Sequence, residues 1–166
     1  HHDPLTGLPN RVMFRDRFAL ATAWAERSAG KVALLYVDLD HFKNINDTYG
    51  HSVGDLVLRE IAVRIKNSIR TIEMAARYGG EEFIVLMPET GLREACQVAE
   101  RIRKSVADYP FGEETVPVTA TLSIGVAEID EKSKSIDQLI ICADHALYVA
   151  KAAGRNRVEG YRENGR

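Results

Sequence analysis

Lys31-Val32-Ala33-Leu34-Leu35-Tyr36-Val37-Asp38 is a nearly continuous apolar run of strand length that ends in a carboxylate. It lacks the apolar–polar alternation of a half-exposed strand, so it reads as a strand buried on both faces in the middle of a sheet. Asp38 then sits at the C-terminal edge of that strand. Upstream, residues 11–27 carry Phe14, Phe18, Ala21 and Ala25 at helical spacing. Downstream, residues 40–49 form a short mixed segment closing on Gly50, and Leu58, Ile61, Ala62, Ile65 and Ile69 repeat at three and four to give a long helix. Residues 73–78 and 83–87 flank Gly79-Gly80 and read as a β-hairpin with Glu81 and Glu82 at its tip or just inside its second strand.

Thr90 can cap a helix running to about residue 106, which Pro110 ends. Residues 116–129 are rich in Val, Thr and Ile and read as a strand or a strand pair. Ser135-Ile136-Asp137-Gln138 has capping-box spacing ahead of the stripe Ile136, Leu139, Ile140, Ala143, Leu147 and Ala150, and a terminal strand around residues 157–160 is expected. The order predicts an α/β (α+β) fold, a mixed sheet of about five strands with helices packed on it.

The 166 residues, 45% hydrophobic and 28% charged, suit one globular domain. With 22 Lys plus Arg against 24 Asp plus Glu, the net charge of −2 creates no general field for nucleic acid or an anionic membrane, so any phosphate must be bound locally. Cys96 and Cys142 lie on helix-like segments without metal-ligand spacing and read as buried reduced thiols, which suits a cytoplasmic domain. No apolar run approaches the roughly 18 residues a membrane span needs, and no direct membrane contact is expected. The abrupt opening on His1-His2-Asp3 reads as a piece cut from a longer protein.

Chemistry concentrates around Asp38 and Glu81, which adjacent strands would bring to one edge of the sheet. Magnesium is commonly held by one or two carboxylates together with substrate phosphates, so this pair suits phosphoryl transfer. Gly79-Gly80 allows positive φ and lacks a Cβ that would keep a phosphate from the backbone; an ordinary tight hairpin is the plainer alternative. Asp38-Leu39-Asp40-His41-Phe42-Lys43 has the acidic spacing of a calcium loop but lacks its later ligands and central glycine. A chain leaving a strand through Phe42-Lys43 into a short helix does present N–H groups and a cation to an anion. Asn46 and Asp55 bracket the turn 50–54; Asp55 could accept the paired N1–H and 2-amino donors of guanine, or cap the next helix. Lys151 and Arg155 could hold terminal phosphates, or simply complement a helix C-terminus. His41, His51 and His145 lack partners at ligand or triad spacing, and no Ser-His-Asp or Cys-His set is evident, which disfavours covalent catalysis.

Taken together, these residues resemble the GGDEF family, the bacterial diguanylate cyclases that condense two GTP into cyclic di-GMP. The ordered pieces are Asp3-Pro4-Leu5-Thr6-Gly7-Leu8-Pro9-Asn10-Arg11, Asp38 to Lys43 with Asn46-Asp47 and Gly50-His51, then Gly54-Asp55. Arg77-Tyr78-Gly79-Gly80-Glu81-Glu82-Phe83 is the signature in its Glu form, followed by Ala143-Asp144-His145-Ala146-Leu147-Tyr148, Lys151 and Gly154-Arg155-Asn156. The resemblance covers nearly the whole chain. It implies a palm-like sheet similar to class III nucleotidyl cyclases, and residues 1–166 as a single domain with an N-terminal regulatory region elsewhere in a longer protein, the domain being cytoplasmic whether or not that protein is membrane-anchored. It implies Mg²⁺, with Mn²⁺ as an alternative, on Asp38, Glu81 and the Leu39 carbonyl; Asn46 and Asp55 on guanine; Phe42, Lys43, Lys151, Arg155 and Gly80 around the substrate; and Glu82 in support near the metal. It further implies GTP as substrate, cyclic di-GMP as product and a homodimer for catalysis.

One departure stands out. Where many members carry Arg-x-x-Asp, an inhibitory cyclic di-GMP site, this chain has Arg70-Thr71-Ile72-Glu73, and the extra methylene is expected to weaken product inhibition. The alternatives are a catalytically silent module that binds GTP or cyclic di-GMP, and a purine nucleotide cyclase of the same fold. The first usually loses the signature carboxylates, which are present here, and the intact signature disfavours the second.

Overall fold

The computed structural model describes residues 1–112, 117–130 and 134–162. Their elements run α1 (Arg11–Ser28), β1 (Val32–Leu39), α2 (Phe42–Tyr49), α3 (His51–Ser68), β2 (Met74–Arg77), β3 (Glu82–Pro88), α4 (Leu92–Ala107), β4 (Leu122–Glu128), α5 (Ile136–Ala152) and β5 (Arg157–Gly160). The sheet order is β2-β3-β1-β4-β5, with β1 antiparallel to both neighbours and β5 parallel to β4. Every residue of β1 is buried, as its unbroken apolar run requires.

The pleat of β1 sorts its side chains between two cores. Ala33, Leu35, Val37 and Leu39 pack with Ile61 and Ile65 of α3 and Ala95, Ala99 and Ile102 of α4. Val32, Leu34 and Tyr36 pack with Phe14 and Phe18 of α1 and Leu139, Ala143 and Leu147 of α5. Asp38 follows the second set in register, so its side chain emerges on the α5 face. There α5 lies against the backbone of β4: a Cβ built on Gly125 would stand 2.0 Å from the Ala143 carbonyl oxygen and 2.4 Å from the Leu147 nitrogen. Only glycine permits this approach.

One local expectation holds: Ser135 caps α5 by accepting from Gln138 N. Asn10, read in the sequence only as part of a turn, caps α1 by accepting from Met13 N. Others are corrected. The N-cap of α4 is Gly91; Thr90 Oγ1 instead donates to the Pro88 carbonyl at 2.8 Å, and Glu128 Oε1 accepts from Leu92 N at 3.0 Å from the end of β4. The stretch 50–54 is the N-cap and first turn of α3, whose C-cap is Ile69. Residues 117–129 supply the single strand β4 and an isolated bridge from Val118 to Phe111, while the expected start at Val116 lies outside the described residues. Neither Cys96 nor Cys142 is in a disulfide, as expected, but both are half-buried rather than buried. No helix among the described residues is long and apolar enough to cross a membrane.

Candidate active site

Asp38 is the penultimate residue of β1, paired across the sheet with Glu82 on β3 and Ser123 on β4. Leu39 N donates to the Glu81 carbonyl at 3.2 Å, which seats the end of the hairpin turn on the end of the central strand. The Asp38 carboxylate is only 6% exposed. Its Oδ2 accepts from Lys151 Nζ of α5, whereas its Oδ1 is buried without a partner. Burial first, and then the negative charge of Asp38, push the Glu81 carboxyl above the ordinary range; Glu82 adds to this and Lys151 opposes it.

A carboxylate bonded to one ammonium, with a buried oxygen left over and a second carboxylate beside it, fits a hard divalent cation that phosphate oxygens would help to coordinate. Among the described residues no group of three or more His, Cys, Asp or Glu could hold a metal, so substrate oxygens are needed to complete such a shell.

The hairpin turn is shaped by its glycines in a way the sequence does not reveal. Tyr78 N and Gly79 N both donate to the Glu82 carbonyl, at 2.9 and 3.3 Å. Neither Gly79 nor Gly80 has a positive φ, so the expected left-handed turn is replaced by the need for space. A Cβ on Gly79 would meet Glu82 Oε1 at 2.2 Å, while one on Gly80 would find nothing within 4 Å. The Glu82 carboxylate lies over Gly79, and the space over Gly80 is open. Tyr36, two residues before Asp38 on the same face, donates its hydroxyl to Glu82; burial, then the Glu82 charge and this bond, push the phenol up.

The opening motif holds this turn from outside. Asp3 accepts from Thr6 N and Thr6 Oγ1 at 2.8 and 2.7 Å and pairs with Arg77 Nη1 at 3.1 Å; Arg77 Nη2 donates to the Gly80 carbonyl at 2.7 Å. Arg11 stacks over the Tyr78 ring at 4.3 Å and donates to its carbonyl.

Phe42 opens α2, and Asn46 lies one turn on, against the start of α3. A Cβ on Gly54 would fall 1.9 Å from Asn46 Oδ1 and 3.3 Å from the Phe42 ring. The Asn46 amide oxygen is buried and unpaired. Asp55 is an exposed residue inside α3, whose N-cap is Gly50, so it is not a helix cap. Lys43 is exposed in the first turn of α2, and Arg155 in the segment leaving α5. The fold thus brings Asp38, Glu81, Glu82 and Lys151 into one cluster and Phe42, Asn46 and Gly54 into another.

Arg70 and Glu73 stand apart, at the entry to β2. Glu73 is 7% exposed, and its carboxylate accepts from Arg70 N at 2.7 Å and from the Arg70 guanidinium at 3.1 Å. The longer side chain has folded back onto its own turn.

Tyr36, Asp40 and the Asp3–Arg77 pair are absent from the sequence-based site, because their partners lie far off in the chain. A phenol, a carboxylate in the apolar exit of β1 and an acidic residue in the opening turn were the available signals.

Residues 1–157 match the family described as diguanylate cyclase, GGDEF domain. The chain is 44% identical over 162 residues to the response regulator PleD of Caulobacter vibrioides, covering 95% of this chain and 35% of that protein. It is 43% identical over 157 residues to diguanylate cyclase DgcP of Pseudomonas aeruginosa, covering 95% of this chain and 23% of that protein. It therefore spans well under half of either relative. A solved structure comprising only the GGDEF domain of TpbB (YfiN) from Pseudomonas aeruginosa superposes with a TM-score of 0.94 at 37% identity, covering 99% of this chain and 96% of that one. With a match across nearly its whole length and these identities, the chain belongs to the GGDEF domain family of diguanylate cyclases.

Proposed function

We propose that this domain is one half of an enzyme that condenses two GTP into cyclic di-GMP with release of two pyrophosphates. The observation that carries the reading is Asp38 Oδ1, a buried, unpartnered carboxylate oxygen beside a second carboxylate, Glu81, that burial and like charge hold above its ordinary range. A buried charge left this way is costly until a cation joins it. A bound Mg²⁺, or Mn²⁺, supplies charge neutralisation at the reacting phosphoryl group.

Asp38 and Glu81 hold that ion, with the Leu39 carbonyl as a further ligand. Gly80 admits a phosphate against the backbone, and Lys43, Lys151 and Arg155 receive the terminal phosphates. Asp55 accepts the N1–H and 2-amino donors of guanine, and Asn46 and Phe42 flank the base. Glu82, fixed by Tyr36, supports the site from beside the metal ligands. Two copies face each other so that each ribose 3′-oxygen bonds to the other's α-phosphorus, the hydroxyl proton leaves, and pyrophosphate departs with the electrons of the broken bond. Activity therefore rises with dimerisation.

The test is incubation with GTP and Mg²⁺ at high protein concentration, with the product identified by mass; a silent isolated domain should become active on forced dimerisation. Silence in both states leaves a nucleotide-binding module as the surviving reading.

Two smaller predictions belong here. Gly80→Ala should leave the melting temperature unchanged or slightly raised, because its Cβ meets nothing and a compatible Gly→Ala change stabilises by about 0.4–1 kcal/mol. The same Cβ projects toward the proposed phosphate position, so GTP affinity should fall about tenfold, or about 1.4 kcal/mol, in titration calorimetry. Unchanged affinity would remove the phosphate from Gly80.

Product inhibition should be weak, because the Glu73 carboxylate is already occupied by Arg70. Cyclic di-GMP titrations should show tighter binding in Glu73→Asp than in the wild type. Tight wild-type binding that Arg70→Ala abolishes would refute this.

A further inference from the structure

Asp40 is the second carboxylate of Asp38-Leu39-Asp40, is 5% exposed, and takes no part in the metal cluster. Its oxygens are filled from three sides. Oδ1 accepts from Ser123 Oγ at 2.6 Å, and Oδ2 accepts from Thr121 Oγ1 at 2.7 Å and from the backbone N–H of Asn156 at 3.0 Å. A carboxylate that accepts from three donors has little acceptor capacity left for a cation.

The bond to Asn156 ends an unusual run. Gly154, Arg155 and Asn156 have φ of 122, 63 and 46°, and two of the three carry side chains that disfavour this region. Such a conformation persists only where the surroundings enforce it. From the outer side, Asn156 Oδ1 accepts from Arg103 Nη1 at 2.7 Å, and Arg103 is itself paired with Glu100. From the inner side, Asp40 holds the Asn156 amide. Between these pins and the end of α5, whose Lys151 reaches Asp38, stands Arg155.

We infer that Asp40 is a positioning residue: it holds the left-handed segment 154–156 in place and thereby presents Arg155 to the terminal phosphates of the nucleotide. The inference rests on the proposed role of Arg155 in triphosphate binding. It assigns the two aspartates of one motif to different tasks, Asp38 to the cation and Asp40 to the arginine.

The test uses calorimetric binding of guanosine 5′-α,β-methylenetriphosphate and of GMP, both with Mg²⁺. Asp40→Asn keeps the size but not the acceptor capacity; it should weaken the triphosphate analogue about tenfold, or about 1.4 kcal/mol, and leave GMP within about twofold. In an Arg155→Ala background the same change should have less than about a twofold effect, since the group it positions is gone. Adding Asn156→Gly to Asp40→Asn should recover most of the loss, because glycine adopts the left-handed region freely.

If Asp40→Asn does not fold, Asn156→Val, which disfavours the same backbone conformation from an exposed position, should reproduce the selective loss. Equal losses for analogue and GMP, or additive losses for Asp40 and Arg155, overturn the positioning role. A wild type that does not bind the analogue, or an Arg155→Ala variant that binds it normally, overturns the nucleotide reading of Arg155 and the inference with it.

Discussion

Glu81→Gln is expected to melt at the same temperature as the wild type or slightly higher while losing about 10³-fold in cyclic di-GMP formation, a loss of about 4 kcal/mol in transition-state stabilisation. The two signs have one cause. Burial and the adjacent Asp38 charge raise the Glu81 carboxyl's affinity for a proton, and Glu82 adds to the effect. A carboxyl whose folded pKa is raised is one whose ionised form the fold disfavours, so at neutral pH a neutral isostere relieves strain. The same negative charge is what a divalent ion needs.

Thermal melts, product formation and Mn²⁺ binding followed by electron paramagnetic resonance test this together. Rates near those of the wild type would sink the metal assignment. A large fall in melting temperature would show that Glu81 supports the fold rather than being tolerated by it.

The second large effect concerns the fold beneath the site. Gly125→Ala should destabilise the domain by about 3 kcal/mol, because the added methyl collides with backbone atoms of α5 and not with a side chain that can rotate aside. At roughly 2–4 °C per kcal/mol for a chain of this size, the melting temperature should drop by about 6–12 °C. Relief requires α5 to lift from β4, which also draws Lys151 away from Asp38, so the survivors should bind GTP more weakly. An unchanged melting temperature would mean that α5 is less closely seated than these contacts imply.

Elements with a local signal were legible in the sequence. The strand β1 announced itself by its unbroken apolar run, and α1 and α5 by their apolar stripes, α5 also by a cap that bonds within three residues. Where a remote group did the work, local reasoning failed. Glu128 supplies the first turn of α4 with an acceptor from 36 residues away, and Thr90, adjacent in sequence, is engaged elsewhere. The residues around Asp55 favoured a cap over recognition, and the cap fails because α3 begins at His51 with Gly50 as its N-cap.

The pairing of Asp38 with Glu81 was legible, since a strand end and a hairpin tip on adjacent strands converge, whereas the bond of Lys151 to Asp38 was not. Nor was the arrangement around the pair. That Glu82 covers Gly79 and that Asp40 serves a loop 116 residues later depend on side-chain directions that only the assembled sheet fixes.

The contact between Lys151 and Asp38 bears on the order of events at the site. If Asp38 holds the cation as proposed, a free divalent ion would have to displace this ammonium from Asp38 with no phosphate at hand to receive it. An ion arriving already chelated by a triphosphate brings the displaced lysine a new partner in the same encounter. Thus the domain should take up metal poorly by itself and readily as a nucleotide complex, with Lys151 acting as a placeholder that discriminates against the bare ion.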